Sequence, residues 1–120
     1  MIIYLAAPYT DQEIAVRRSR FFAAARAAAT LIERGFIILS PLIMTHPIDQ
    51  ILTEDGRKVN ADYWIKFDEA FMSTCAELWV LTLDGWKASK GIQREIEYFE
   101  KRARPVVYLD ATTLKPIDKP

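Results

Sequence analysis

The chain alternates short apolar runs with longer stretches that favour helices, and this alternation limits the possible folds more than any other feature. Each run is rich in β-favouring residues and is followed within two residues by Pro, Ser or Asp. Buried strands are therefore predicted over residues 2–6, 36–39, 78–83 and 105–109.

Helices are predicted between the strands. Residues 13–34 lack Gly and Pro and are rich in Ala, and Gly35 follows them, so we expect a long amphipathic helix capped by Asp11. Its expected inward residues are Ile14, Phe21, Ala25, Ala28, Leu31 and Ile32. Further helices are expected over 60–76 and 89–103, the latter capped by Ser89. Residues 41–58 hold turn formers, which predicts a loop with room for one short helix, and the tail past Thr112 is expected to be loosely structured.

Strands that alternate with helices predict an open parallel sheet covered on both faces. We expect one doubly wound, flavodoxin- or Rossmann-like α/β domain over residues 1–120, with four to five strands in the order 2-1-3-4. Ligands of such folds bind at the carboxyl ends of the strands, where the strand order reverses. The loops 7–10, 40–47 and 84–89 are therefore the candidate ligand-binding loops.

Composition excludes several classes of protein. The 120 residues carry 16 basic and 16 acidic side chains, so nothing favours a nucleic-acid polymer as partner. No apolar run approaches the ~20 residues that span a bilayer, and no signal-peptide pattern is present, so we expect a cytoplasmic protein without membrane contact. Cys75 is the single cysteine, and no dinucleotide or P-loop motif occurs, so no metal and no cofactor is predicted.

Two acids fall on helix faces that are otherwise apolar. Asp68 lies within a stripe of apolar residues, and Glu95 lies three residues after Ile92 and four before Phe99. The stripe around Asp68 consists of Trp64, Phe67, Phe71 and Cys75. A half-buried carboxylate is costly unless it is paired, and its pKa tends to rise. Each acid is therefore either a satisfied structural partner or a catalytic acid, base or nucleophile.

Three features together point to a family. Tyr4 lies in the first strand, Asp68 in the helix before the third strand, and Ser89-Lys-Gly91-Ile-Gln-Arg-Glu95 opens the next helix. This ordered set resembles the nucleoside 2-deoxyribosyltransferase superfamily, including its nucleotide N-glycosidase relatives, over residues 1–108. The resemblance implies a single domain of that family and a homo-oligomer, either a dimer or a tetramer.

The resemblance also implies roles for the matching residues. Glu95 would be the nucleophile that attacks the anomeric carbon of a ribose or deoxyribose. Asp68 would handle the proton of the departing base or bind that base, and Tyr4 would orient the Glu95 carboxylate. A covalent sugar–enzyme ester would then be resolved by water or by a second base.

Further residues are predicted to bind a nucleoside or nucleotide, because they lie in the candidate loops or match the family motif. They are Ala6, Pro8, Tyr9, His46, Trp86, Ser89 and Gly91. Ser89 and the helix amino terminus offer a hydroxyl and free N–H groups to a 5′-phosphate. The nucleotide-hydrolysing relatives have an arginine in the loop after the first strand, whereas residues 6–10 here contain none, so Arg17 or Arg18 would substitute. Trp64 could stack on a nucleobase as Trp86 could, but it is assigned to the core, as is Trp79.

Two functions from different classes remain open. The leading hypothesis is cleavage of an N-glycosidic bond, or deoxyribosyl transfer, on a nucleoside or nucleoside 5′-monophosphate. The alternative is a module of the same fold that binds a nucleotide-derived ligand without cleaving it, and a third is a structural protein in which Asp68 and Glu95 stabilise an interface. An enzyme needs the Glu95 carboxylate near Tyr4 with space beside it, whereas a sensor or scaffold would pair Glu95 with a basic residue and fill the crevice.

Overall fold

Five strands form one sheet, and the helices that connect them cover both of its faces. The computed structural model describes residues 1–57 and 59–120. The strands are β1 (Ile2–Ala6), β2 (Ile37–Leu39), β3 (Glu77–Leu81), β4 (Val106–Leu109) and β5 (Pro116–Ile117). The helices are α1 (Ile14–Glu33), α2 (Pro41–Glu54), α3 (Ala61–Met72) and α4 (Lys90–Lys101), and a short 3-10 turn spans Trp86–Ala88.

The strand order is β2-β1-β3-β4-β5. The first four strands are parallel, and β5 runs antiparallel to β4, with Tyr108 opposite Ile117. This confirms the predicted doubly wound α/β fold and its order 2-1-3-4. Within the described residues, no helix is both long and apolar enough to cross a membrane.

The sheet separates two apolar clusters, since side chains alternate between its faces. On one face, Ile3 and Leu5 pack with buried Ala and Leu residues of α1. On the other face, Tyr4 and Ala6 pack with residues that follow α3 and with the inner side of α4. The inward apolar residues of α4 are Ile92, Ile96 and Phe99, as predicted. Tyr4 therefore points toward the face that carries Asp68 and Glu95.

Residues 41–54 form a helix of 14 residues, so the prediction of a loop with room for only one short helix is wrong. Pro41 occupies the first helical turn, where its fixed φ and missing N–H are tolerated. Pro47 lies inside the helix, which continues around it and packs against α1. Packing has overridden the local turn signals, and residue 58, the end of the predicted loop, lies outside the described residues.

Three smaller differences between the predicted and the observed structure have local causes. β2 is an edge strand rather than a buried one, so Ile37 is 60% exposed. Asp11 does not cap α1; its carboxylate accepts a hydrogen bond from the Glu13 N–H, and Glu13 takes the N-cap position. Ile14 and Ile32 are exposed, since α1 buries its small alanines instead.

Helix α3 ends at Met72, four residues before the predicted end. Part of the tail that was expected to be loose forms β5. The Ser89 cap is confirmed, because its hydroxyl accepts a hydrogen bond from the Ile92 N–H at 3.2 Å.

Candidate active site

Tyr4, Asp68 and Glu95 come together on the α3/α4 face of the sheet. Tyr4 lies in the middle of β1, between Leu39 of β2 and Leu78 of β3, and its side chain is buried. Its hydroxyl lies close enough to the Glu95 carboxyl group for each to shift the pKa of the other, and the charges of Glu95 and Asp68 both act on it. Three separate elements, β1, α3 and α4, therefore each supply one polar side chain to the same place.

Glu95 is held on the inner side of α4, one helical turn after Ile92 and one before Phe99. Burial, with the nearby Asp68 charge adding to it, raises the pKa of its carboxyl group from 4.5 to about 8. The hydrogen bond from Tyr4 and the positive charge of Arg94 act in the opposite direction. Because burial outweighs both, the free protein holds a proton on Glu95 at neutral pH in its predominant form.

Asp68 lies on α3 between Trp64 and Phe71 in the helical repeat and is half-buried. Burial raises the pKa of its carboxyl group to about 6, and the charge of Arg94 partly opposes this. Burial also holds the pKa of Tyr4 well above its ordinary value, with the negative charges of Glu95 and Asp68 adding to the effect. Tyr4 is therefore a neutral hydrogen-bond donor at every physiological pH.

The two carboxyl groups interact, so they titrate as a pair. With pKa values of about 6 and about 8, the pair carries one proton between these two pH values. A pair of carboxyl groups with one proton can act as nucleophile and acid at once. For Glu95 to be the nucleophile, the proton must move from Glu95 to Asp68. This is the protonation state that cleavage of a glycosidic bond by two carboxyl groups requires.

No basic residue forms an ion pair with Glu95 in the part of the chain that the structure describes. The ion pairs found there are Arg57–Asp55 and Lys101–Glu97, both on the surface. No group of three or more His, Cys, Asp or Glu side chains within residues 1–57 and 59–120 is arranged to hold a metal ion.

His46 and Tyr9, both predicted to bind ligand, contact each other instead. The Tyr9 hydroxyl lies 2.6 Å from His46 Nδ1, and the His46 ring stacks on Phe21 with 4.4 Å between ring centroids. His46 is only 5% exposed, and burial lowers its pKa, so the neutral ring is favoured in its hydrogen bond with the Tyr9 hydroxyl. The contact fastens the loop after β1 to α2.

The other predicted ligand residues divide into buried and accessible ones. Ala6, Pro8 and Trp86 are buried, so Ala6 and Pro8 offer a ligand their backbone alone. Trp86 is 8% exposed and packs on Tyr108 with 5.5 Å between ring centroids, so its ring is part of the core. Ser89 and Gly91 are half-buried at the start of α4, one turn before Glu95.

An aromatic groove between α2 and α3 was not predicted from the sequence. Its volume is about 540 Å³, and its lining residues are Ile48, Leu52, Val59, Asn60, Tyr63, Trp64 and Phe67. Trp64 and Phe67 contact edge to face at 5.4 Å, and Phe67 contacts Phe71 at 5.0 Å, so the row of rings passes Asp68 along α3. The apolar stripe of α3 was the available signal, but it was assigned to the core because α2 was not predicted.

The protein is therefore a doubly wound α/β domain in which a tyrosine and two carboxyl groups lie on one face of the sheet. Residues 1–111 match a family model described as a domain of unknown function, DUF1937, and the chain belongs to this family. A search of curated proteins finds no match.

Proposed function

We propose that the protein cleaves the N-glycosidic bond of a nucleoside or nucleoside 5′-monophosphate, or transfers its sugar to another base, with Glu95 as nucleophile. The observation that carries the proposal is the meeting of Tyr4, Asp68 and Glu95 on one face of the sheet. The sequence resemblance to the nucleoside 2-deoxyribosyltransferase superfamily gives the same three residues these roles. No cofactor enters the proposal.

In the first step, a Glu95 carboxylate oxygen forms a bond to the anomeric carbon of the sugar. The bond from that carbon to the base nitrogen breaks, and its electron pair stays with the base. Asp68, carrying the single proton of the pair, gives that proton to the base. The products of this step are the free base and a sugar ester on Glu95, with Asp68 ionised.

In the second step, Asp68 takes a proton from water while the water oxygen bonds to the anomeric carbon. The bond to Glu95 breaks, and the free sugar leaves with Glu95 as a carboxylate. A second base with a nitrogen–hydrogen bond can replace water, which makes the reaction a transfer. Either route returns the pair to its starting state with one proton.

The surroundings of Glu95 suit a nucleophile. Removing water from a carboxylate strengthens its attack, and the buried position on α4 does this. The Tyr4 hydroxyl fixes the direction of the carboxylate and helps to keep a fraction of it ionised. Because Tyr4 lies in a strand that is paired on both sides, the orientation depends on the sheet and not on a loop.

The aromatic groove offers a stacking surface to a planar ligand, and one of its lining residues, Phe67, directly precedes Asp68 on α3. Its volume of about 540 Å³ falls within the range of small-molecule sites. We place the departing base against Trp64, whose ring is half-buried, rather than against Trp86, which is buried.

We also propose that the protein acts as a homo-oligomer, a dimer or a tetramer, in the cytoplasm. Met44, Ile48 and Ile51 are exposed and lie along one side of α2, which supports a contact with a second copy. Light scattering coupled to gel filtration tests this, and a monomer at micromolar concentration would contradict it.

The experiment that tests the activity is chromatographic detection of free base after incubation with a panel of nucleosides and 5′-nucleotides. Glu95→Gln removes the nucleophile and keeps the shape, and we expect it to release no base. Glu97→Gln is the matched control, because Glu97 lies two residues away on the exposed side of α4 and pairs with Lys101.

Base release by the unaltered protein and by Glu97→Gln, but not by Glu95→Gln, supports the proposal. Absence of release from every substrate, with and without an acceptor base, contradicts it. In that case, the non-catalytic module that binds a nucleotide-derived ligand becomes the better hypothesis.

A further inference from the structure

Arg20 of α1 reaches the two loops that leave neighbouring strands of the sheet. Its Nη1 atom donates to the Thr10 carbonyl at 3.0 Å, in the loop after β1, and its Nη2 atom donates to the Asp84 carbonyl at 3.5 Å, in the loop after β3. β1 and β3 pair with each other, and the strand order reverses between them. Ligands of doubly wound sheets bind at the carboxyl ends of the strands where this reversal occurs. One guanidinium group therefore joins the two loops that border the expected ligand crevice.

Gly85 leaves room for the Arg20 guanidinium. A Cβ atom on Gly85 would lie 2.5 Å from Nη2 and 3.5 Å from Cζ of Arg20, and the first distance is shorter than a real Cβ contact allows. The backbone of Gly85 is also left-handed, with φ of 90°, at the start of the 3-10 turn over Trp86–Ala88. Two separate observations thus favour glycine at this position, and one of them is the presence of Arg20.

The other arginines at the start of α1 make contacts of a different kind within the described residues. Arg17 donates to the Asp11 carbonyl, in the loop after β1 alone, and the Arg18 guanidinium lies 5.9 Å from the ring of Phe22 on α1 itself. The sequence analysis offers Arg17 or Arg18 to a phosphate group, whereas these contacts are with the chain. Of the three arginines, Arg20 is the one placed to set a distance between two loops.

Each of the two loops is connected to an element of the candidate active site. The loop after β1 follows the strand that carries Tyr4, and the loop after β3 runs into α4, which carries Glu95. Arg20 itself belongs to α1, which packs on the other face of the sheet. Any effect of Arg20 on the site therefore passes through the loops.

We propose that Arg20 is a positioning residue that couples the loop after β1 to the loop after β3, so that the two loops keep one spacing across the ligand crevice. This inference deepens the proposed function, and its effect on substrate binding rests on that function. A planar guanidinium group presents several N–H donors in a fixed geometry, so it can hold two carbonyl groups at a set distance. A movement of one loop is passed to the other through the same side chain.

Backbone order parameters from ¹⁵N NMR relaxation test the coupling in the free protein. Gly85→Ala displaces the end of the flexible Arg20 side chain, so we expect the order parameters of residues 9–12, in the other loop, to fall from about 0.85 to below about 0.6. Gly35→Ala is the matched control, because φ of Gly35 is 97° and a Cβ atom there meets nothing within 4 Å. It introduces comparable backbone strain without touching Arg20, and it should leave residues 9–12 unchanged.

Arg20→Gln supplies the second half of the test. We expect it to lower the order parameters of residues 9–12 and 83–85, and we expect Gly85→Ala to change residues 9–12 no further in that background. Order in residues 9–12 that Gly85→Ala leaves unchanged, or lowers equally with and without Arg20, would overturn the coupling. If Gly85→Ala does not fold, Arg20→Gln alone decides, since retained order in either loop contradicts the proposal.

The kinetic consequence separates positioning from stability. Arg20→Lys keeps the charge and loses the fixed pair of donors, and Arg26→Lys, on an exposed arginine of α1, is the control. With the best substrate of the base-release panel, we expect Arg20→Lys to raise KM by at least about fivefold and to change kcat by less than about twofold. A merely destabilised protein would instead lose active molecules, which lowers kcat and leaves KM unchanged.

Failure of this inference and failure of the proposed function give different results. If no substrate releases base, the glycosidic activity fails, and the NMR measurements still decide whether Arg20 couples the loops. Base release with an unchanged KM in Arg20→Lys supports the activity and overturns the positioning role of Arg20.

Discussion

The Tyr4 hydroxyl and the Glu95 carboxyl group interact between β1 and α4, and this interaction lowers the pKa of Glu95 and raises that of Tyr4. The Tyr4 ring also packs near Phe99, with 6.2 Å between ring centroids, one turn beyond Glu95 on the same helix. A carboxyl group that is held from a strand of the sheet and from its own helix has little freedom to move. The position of Glu95 thus depends on the core of the protein and not on a surface loop.

Replacing Tyr4 with Phe removes this hydrogen bond and keeps the ring. Because the bond lowers the pKa of Glu95, its loss should raise that pKa beyond about 8. We expect kcat/KM at pH 7 to fall by roughly tenfold to hundredfold, and the limb of the pH profile that reports Glu95 to move up by about one to two units. Tyr98→Phe, on a half-buried tyrosine of α4, is the control, and an unchanged pH profile in Tyr4→Phe would contradict the assigned role.

The pH dependence of the reaction follows from the carboxyl pair. Below about pH 6 both groups are protonated and no nucleophile exists, and above about pH 8 both are ionised and no acid remains. We expect kcat/KM to follow a bell-shaped profile with limbs near these two values and a maximum near pH 7. Initial rates of base release between pH 4.5 and 9.5 measure it, and full activity at pH 5 would rule out this assignment.

Glu95→Gln should stabilise the fold at neutral pH. The pKa of Glu95 rises from 4.5 to about 8 on folding, so the folded state holds a proton that the unfolded state has lost between these values. The contribution of Glu95 to the free energy of unfolding is therefore most favourable below pH 4.5 and declines as the pH rises toward 8. A neutral amide avoids this loss, so the free energy of unfolding at pH 7 should increase by about 2–3 kcal/mol.

Urea denaturation at pH 4.5 and pH 7 measures this effect. We expect the difference between Glu95→Gln and the unaltered protein to be small at pH 4.5 and large at pH 7. Glu97→Gln should show no such dependence, since Glu97 is exposed. An equal difference at both pH values would mean that the Glu95 charge does not destabilise the fold.

Much of this arrangement could be predicted from the sequence. The parallel order of four strands followed from the spacing of apolar runs, and the inward positions of Asp68 and Glu95 followed from the helical repeat. The inward positions depend on local periodicity, and the strand order follows from the rules for connecting strands that alternate with helices. The meeting of the two acids with Tyr4 was expected from the family resemblance.

Other features depend on contacts between distant segments. Residues 41–54 carry two prolines and several turn formers, and α1 provides the packing surface that keeps them helical. The partner of His46 is Tyr9, 37 residues earlier, and no spacing rule links them. Trp64 was assigned to the core but lines the groove, and Trp86 was assigned to the ligand site but is buried. The groove beside Trp64 exists only because α2 packs there.

The Tyr9–His46 contact should contribute measurably to stability. A double-mutant cycle with Tyr9→Phe and His46→Leu should give a coupling free energy of about 1 kcal/mol. Burial lowers the pKa of His46, so the folded state binds fewer protons than the unfolded state as the pH falls below 6.5. The stability that neutral His46 contributes is therefore complete above pH 6.5 and is lost at lower pH. Denaturation at pH 7.5 and pH 5.5 checks both statements; no coupling at pH 7.5 would contradict them.

Tryptophan fluorescence can show whether the groove between α2 and α3 binds a base. We expect a free purine base at millimolar concentration to quench the emission of the unaltered protein. Trp64→Phe should abolish the quenching at a stability cost below about 1 kcal/mol. Trp86→Phe should keep the quenching and lower the stability by about 1–3 kcal/mol, because Trp86 is packed in the core. Quenching that survives in Trp64→Phe would place the base elsewhere.

The rate at which a thiol reagent modifies the single cysteine can report on opening of the structure around it. Cys75 is 2% exposed, its thiol points back to the Phe71 carbonyl at 3.3 Å, and burial raises its pKa. A thiol reagent therefore reaches it only when the end of α3 lifts away from the sheet. The rate of modification thus records how often the helix that carries Asp68 opens, and a ligand held beside Asp68 would lengthen the interval between those openings.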